Sequence, residues 1–272
     1  MSDIITAIIL GIVEGITEFL PVSSTGHLIL ANEFFTFADP VFAAMFDIVI
    51  QSGAILSVIL YFRHRLLPVG APDHRDRVLT LWKATIVGVI PALVLGAAFG
   101  DTIEEHLFNP FVVAGSLFVG GIVILIVERR TPSNRIAGAC PELVERAEDI
   151  PLKIALFIGI IQCLAMVPGV SRSAATIIGA MLLGTSRLAA AEFSFFLAIP
   201  TLLAATAYSL LKHSALVSGD QAVALAVGFV VSFITAYAVI ALFMRWISTR
   251  TFAPFGWYRI ALAAAVVAYF SL

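Results

Sequence analysis

Glu14 and Glu18 stand four residues apart in GIVEGITEFLPVSSTGH, an otherwise largely apolar stretch covering residues 11 to 27. On a helix that spacing puts both carboxylates on one face, and Gly11 and Gly15 share it, so another backbone can approach them. An ionised carboxylate in an apolar medium is costly unless it is paired, so the two acids predict a polar cavity; the competing reading is a place at the membrane interface. Pro21 interrupts the helix. Ser23, Ser24 and Thr25 are then suited to capping a new one, whose first amides are free for an anion. His27 follows Ser24 by one turn, close enough to serve as base, acid or phosphate donor. Taken alone, that Ser/His pair reads better as ordinary capping and packing.

A second interruption occurs at PGVSRSAAT, residues 168 to 176, where Arg172 is the only basic residue between Lys153 and Arg187. A guanidinium binds phosphate oxygens bidentately and can pair with an acidic cluster; its plainer role would be a structural salt bridge to Glu14 or Glu18. The expected catalytic set is Glu14, Glu18, Ser24, His27 and Arg172. Ser23, Thr25, Gln51, Ser171, Ser173 and Thr176 are the expected substrate-binding residues. Helix N-termini, a fixed cation, hydroxyls, a histidine and two acids fit phosphate processing better together than any of them does alone. Magnesium or calcium held by Glu14 and Glu18 would offset their repulsion toward a diphosphate, although the sequence has no dedicated metal motif. Asp47 is expected near the outer end of its span and Glu192 at an interface, with Arg259 snorkelling from the inner end of the last span.

The elements that must position these residues are membrane elements. Of 272 residues, 60% are hydrophobic and 12% charged, a balance that calls for a bilayer rather than a water-soluble core. A net charge of -2 gives no electrostatic case for nucleic acid as a partner. Cys140 and Cys163 suggest neither a disulfide framework nor a metal site and are expected to be free thiols. Residues 4 to 13 resemble the apolar part of a signal peptide, but no basic residue precedes them and Glu14, Glu18 and Pro21 follow, so the segment is expected to be retained.

Arg63, Arg65, Arg75, Arg77 and Lys83 fall in one loop, Arg129, Arg130, Arg135, Arg146 and Lys153 in another, and Arg245 and Arg250 in a third. These loops are expected to be cytoplasmic. The loop from Gly100 to Pro110 has acids and His106 but no Lys or Arg, which puts it on the opposite side. Threading the chain accordingly predicts an all-α polytopic protein with six full spans: 42–62, 84–100, 111–128, 191–211, 221–243 and 254–271. Residues 4 to 37 and 154 to 187 must each enter and leave on one side, as re-entrant helical hairpins. Both termini and the opening of the active site then face the periplasmic or extracellular side.

A repeat supports this organisation. GIVEGITEFLPVSSTGHLI from Gly11 aligns without gaps to GIIQCLAMVPGVSRSAATI from Gly159, pairing Ser23 with Ser171, and FNPF at Phe108 echoes FAPF at Phe252. The offsets, 148 and 144 residues, are nearly equal, so the likeness runs along most of each half. Within a single membrane domain, halves of roughly 1–128 and 154–272 are joined by a cytoplasmic linker, 129–153. An odd number of crossings in each half makes this an inverted-topology repeat, which commonly seats a ligand where broken helices meet; a symmetric scaffold is the alternative.

The two signatures, residues 11–27 and 168–176, resemble those of the bacterial undecaprenyl-diphosphate phosphatase family associated with bacitracin resistance. The likeness covers nearly the whole chain, with no departure at Glu14, Glu18, Ser24, His27 or Arg172. It implies removal of the terminal phosphate from a C55 polyprenyl diphosphate in the bacterial plasma membrane, regenerating the carrier used in cell-wall assembly. On this reading Ser24 is the nucleophile, or binds phosphate while water attacks. His27 assists proton transfer, and Glu14 with Glu18 activates the nucleophile or positions a divalent ion. The competing class is a lipid flippase or other secondary transporter, with a lipid-binding receptor third. The oligomeric state, including a homodimer, is left open.

Overall fold

The computed structural model describes residues 2–130, 143–213 and 219–271. Arg135 and Cys140 lie outside them. The described residues form helices α1 (Asp3–Thr17), α2 (Ser24–Phe34), α3 (Pro40–Tyr61), α4 (Arg63–Leu66), α5 (Pro72–Leu107), α6 (Pro110–Arg130), α7 (Leu152–Gln162), α8 (Arg172–Leu182), α9 (Arg187–His213), α10 (Gly219–Ile247) and α11 (Ala253–Ser271). Among the described residues there are no strands, only an isolated bridge between Val144 and Thr185. Six of the helices, α3, α5, α6, α9, α10 and α11, are long and apolar enough to cross a bilayer. They coincide with the six spans expected from sequence.

One boundary differs. Arg75, Arg77 and Lys83, expected in a loop, lie on α5, which starts at Pro72 and continues past Gly100 to Leu107. Proline is well accommodated in a first helical turn, and no helix-breaking pair follows until Leu107, so the charged residues extend the helix beyond its apolar stretch. Pro91 lies inside it.

Four of the five shorter helices, α1, α2, α7 and α8, form two pairs, each broken in the middle. Their glycines dictate the packing. A Cβ at Gly11 would lie 2.8 Å from the Gly228 carbonyl oxygen of α10, and one at Gly15 would lie 2.8 Å from that of Ser232. On α7, Gly159 meets the backbone of Gly88 on α5 in the same way. Thus α1 packs on a helix from the second half of the chain, and α7 on one from the first. The contacts of α3 with α9 and α10, and of α6 with α11, interlock the halves further.

The largest apolar cluster centres on Phe19, Phe62, Phe195, Phe196, Phe243 and Phe252, and a smaller one on Phe37, Phe42 and Phe46. Outward-facing residues such as Ile86, Val94 and Leu242 are exposed, as expected of surfaces solvated by lipid. Near one end, buried Glu128 accepts from Arg187 at 2.6 Å and from the amide of Phe252 at 2.8 Å, tying α6 to α9 and to the start of α11. Arg65 bridges Glu192 and Glu148. Burial alone would lower its pKa, but those two carboxylates outweigh it and hold the guanidinium charged above its usual range.

Candidate active site

Two breaks in helical structure meet between the halves. In the first, α1 ends at Thr17 with Glu18 as its cap, and α2 begins at Ser24; in the second, a 3-10 turn over Cys163–Met166 leads through Pro168 and Gly169 to α8. The residues capping α2 and α8, Ser23 and Ser171, have φ of 71° and 72°, the only positive values among the described non-glycine residues. In each, the hydroxyl oxygen accepts from the amide three residues on, Gly26 at 3.3 Å and Ala174 at 3.2 Å. This backbone conformation costs on the order of 1–3 kcal/mol per residue. Its recurrence at positions paired by the repeat shows that both breaks are built the same way. In each case the cap satisfies one first-turn amide of the following helix.

Side chains join the breaks directly. Arg172 Nη2 donates to Glu18 Oε1 at 3.0 Å, and Ser24 Oγ donates to Glu18 Oε2 at 2.6 Å. Glu18 therefore links the first residue of α2 to the first of α8. Ser173 Oγ donates to the Leu20 carbonyl at 2.8 Å. On the far side of Arg172, Nη1 donates to the Ser194 carbonyl at 2.9 Å, and Thr176 Oγ1 donates to Ser194 Oγ at 2.6 Å. The remaining donor of Arg172, Nε, is buried and has no partner. A guanidinium so held keeps its Nε N–H free for an anion.

Glu14 is fully buried and both of its oxygens lack a hydrogen-bond partner. It interacts electrostatically with Glu18, Asp47 and Arg172. Asp47 accepts from Asn32 at 2.8 Å through one oxygen, and the other is also unpartnered. A buried carboxylate without donors calls for a proton or a cation. Among the described residues no cluster of three or more His, Cys, Asp or Glu side chains could hold a metal ion.

His27 Nδ1 lies 2.7 Å from the Ser23 carbonyl, which can only accept, so Nδ1 carries the proton. In the neutral ring Nε2 then accepts from the Tyr258 hydroxyl at 2.6 Å, and the two rings stack with centroids 5.5 Å apart. The hydrogen-bond partner of Ser24 is thus Glu18, with His27 turned toward α11.

Of the residues expected from sequence, Glu18, Ser24, Arg172, Ser173 and Thr176 are brought into one hydrogen-bonded cluster, with Ser23 and Ser171 forming its caps. Glu14 lies one turn away. Thr25 and Gln51 are half-buried, and neither donates a side-chain hydrogen bond to this cluster. Arg259 corrects an expectation: it does not snorkel but is fully buried. It donates to the carbonyls of Gly169 at 2.9 Å, Ser116 at 3.2 Å, and Pro21 and Leu117 at 3.4 Å. One guanidinium so clasps both breaks, because carbonyls freed at a helix interruption need donors and no water is at hand. Ser194 and Tyr258 were also missed. The signal for Arg259 was its place inside a span seven residues after the start of the repeated FAPF, where no charge belongs without a function.

The family model described as bacitracin resistance protein BacA matches residues 7–265. The undecaprenyl-diphosphatase of Limosilactobacillus fermentum is 46% identical over 100% of this chain and 99% of its own. Those of Variovorax paradoxus and Dechloromonas aromatica are 47% and 48% identical, each over 97% of this chain and 94% of the relative.

Proposed function

The chain belongs to the bacitracin resistance protein BacA family, and from that membership we infer that it is a multi-pass membrane enzyme, an undecaprenyl-diphosphate phosphatase. It hydrolyses undecaprenyl diphosphate to undecaprenyl phosphate and phosphate, renewing the lipid carrier of cell-wall synthesis. The observation that carries the site assignment is the Glu18 carboxylate held between Ser24 Oγ at 2.6 Å and Arg172 at 3.0 Å.

That geometry supports Ser24 as nucleophile. Its proton passes to Glu18 while Oγ bonds to the terminal phosphorus, and the bond from that phosphorus to the bridging oxygen breaks, releasing the lipid monophosphate. Water then cleaves the phosphoserine and returns the proton. The free Nε of Arg172 and the first-turn amides of α2 and α8 stabilise the charge on the phosphoryl oxygens. Arg172 reorients from Glu18 toward phosphate as Glu18 gains the proton, since the neutral acid no longer needs the cation. His27, fixed as the Nδ1-protonated tautomer by the Ser23 carbonyl, can accept a proton at Nε2, the atom that faces Tyr258, and assists proton transfer on that side of the site. Thr176 and Ser194 hold Arg172 in place.

The unpartnered oxygens of Glu14 fit a divalent cation. Glu14 and Glu18 would hold it, and it would supply charge neutralisation for the diphosphate. The matched strained caps and the crossed packing of α1 on α10 and α7 on α5 support reading the two broken pairs as re-entrant hairpins of an inverted repeat. The clustering of Arg63, Arg65, Arg129 and Arg130 at one end supports a cytoplasmic location for that end and a site that opens to the opposite side.

Phosphate release from a polyprenyl diphosphate by purified wild type and Arg172→Ala tests the reading. Wild type should release phosphate and the variant should not. Equal rates would remove Arg172 from the site, and movement of labelled lipid across vesicles without phosphate release would favour a flippase.

A further inference from the structure

Both oxygens of Glu18 are engaged: Oε1 accepts from Arg172 and Oε2 from Ser24. In the described part of the first half, the buried carboxyl oxygens left without a donor are the two of Glu14 and Oδ1 of Asp47. Glu14 is fully buried on α1, and Asp47 stands on the neighbouring α3, close enough for the two charges to repel. Asn32 on α2 holds Asp47 by its other oxygen at 2.8 Å, so the carboxylate is anchored while Oδ1 stays unsatisfied. Burying ionised oxygens that accept no hydrogen bond is costly, and two such groups side by side are costlier still.

The repeat provides an internal comparison. At the offset of 148, Glu14 corresponds to Gln162 and Glu18 to Met166; Asp47, at that offset or one residue more, falls on Phe195 or Phe196. The second half therefore carries an amide and a phenylalanine where the first carries the two acids. Its break is nevertheless built with the same cap, since Ser171 repeats the backbone of Ser23. Neither acid is needed to fold a broken pair, so the cost of burying them is offset by something that only the first half binds.

We propose that Asp47 is the second carboxylate of the cation site: a divalent cation of the magnesium kind is held between α1 and α3 by Glu14 and Asp47, in place of Glu18, which stays with Ser24 and Arg172. This rests on the phosphatase reading and on the cation assigned there to Glu14. Magnesium is commonly bound by one or two carboxylates, with water and substrate phosphate completing its shell, so two acids suffice and no cluster of three is required. Asn32 acts through Asp47, fixing the carboxylate so that Oδ1 is left for the ion. The arrangement also divides the labour between the acids. A carboxylate bound to a dication is a poor proton acceptor, and with the ion on Asp47 the Glu18 carboxylate keeps its capacity to take the Ser24 proton. Glu14, one turn from Glu18, places the ion beside the hydrogen-bonded cluster, where it offsets the charge of the diphosphate.

Two measurements on purified protein in detergent, without substrate, test this. In the first, Mn2+ is titrated and the electron paramagnetic resonance signal of the free ion is followed. Wild type should bind the ion, and Asp47→Asn, whose amide oxygen still accepts from Asn32, should weaken binding by about 10- to 100-fold. Glu33→Gln, at an exposed position next to Asn32, should leave the affinity unchanged. The second separates a ligand from a charge acting at a distance. Asp47→Cys puts a thiolate at the position and should bind Cd2+ more tightly than wild type does, while binding Mn2+ more weakly. A wild type that binds no Mn2+, an Asp47→Asn affinity equal to that of wild type, or an Asp47→Cys variant with no gain for Cd2+ would overturn the proposal. Phosphate release from a polyprenyl diphosphate is measured on the same samples. Turnover by wild type with Mn2+ affinity indifferent to Asp47 would sink the cation site and leave the phosphatase reading standing. Binding through Asp47 by a protein that releases no phosphate would do the reverse.

Discussion

Arg172→Lys keeps the charge at the centre of the site and removes only its shape. The native guanidinium donates through Nη2 to Glu18 and through Nη1 to the Ser194 carbonyl, and its buried Nε is left for a substrate oxygen. A lysine ammonium occupies one point, and with Glu18 as its nearest anion it cannot also reach the other two. A hydrogen bond to a charged group contributes about 1.5–3 kcal/mol. At 1.36 kcal/mol per tenfold, losing one such contact to the transferring phosphoryl lowers kcat/KM by about 10- to 160-fold. The variant should still be recovered in normal amount, because Glu18 retains a counter-ion. Arg172→Ala should lose folded protein as well, since breaking a buried pair costs about 3–5 kcal/mol. The assay is initial-rate phosphate release from a polyprenyl diphosphate in detergent, with the monodisperse yield measured in parallel. A lysine variant indistinguishable from wild type in kcat/KM would refute the reasoning, because a point charge would then suffice.

Ser24→Ala should nearly abolish turnover at normal protein abundance; substantial residual hydrolysis would favour direct attack by water, with Ser24 a phosphate ligand. Arg259→Met leaves the carbonyls of both breaks without their donor and should destabilise the protein by about 3 kcal/mol or more, read as a clear fall in Tm in detergent; an unchanged Tm would mean that the clasp is dispensable. Tyr258→Phe removes one neutral hydrogen bond, about 0.5–1.5 kcal/mol, and should reduce kcat by roughly tenfold or less; a loss as deep as that of Ser24→Ala would make Tyr258 itself a participant in the chemistry. If Glu14 holds a cation, a chelator should silence wild type, magnesium should restore it, and Glu14→Gln should raise the magnesium needed; indifference of wild type to chelation would contradict that role.

Much of the fold was legible because each crossing needs about 20 apolar residues, and α3, α6, α9, α10 and α11 announce themselves by hydropathy alone. The beginning of α5 was not, since Arg75, Arg77 and Lys83 read as loop by charge, whereas a helix emerging into water tolerates charge without ending. At the site, spacing put Glu14 and Glu18 on one face, and Pro21 and Pro168 marked the breaks. Contacts across 22 and 231 residues of chain were beyond any local pattern: nothing near Ser194 says that its carbonyl will hold Arg172, and nothing near Tyr258 points to His27. The repeat came nearest to supplying that information. It paired Ser23 with Ser171, which share an unusual backbone, but could not say that the Ser24 hydroxyl would donate to Glu18 and not to His27. Arg259 was misjudged because snorkelling needs only a nearby interface, while burial needs four carbonyls, one from each break and two from α6, that come together only in the folded protein.

The most direct test is an experimental structure with a non-hydrolysable polyprenyl diphosphonate bound. The terminal phosphonate should sit between Ser24 Oγ and the Arg172 guanidinium, touching the first-turn amides of both α2 and α8. A head group bound elsewhere, with Arg172 still locked to Glu18 and both helix N-termini bare, would contradict a site shared by the two halves.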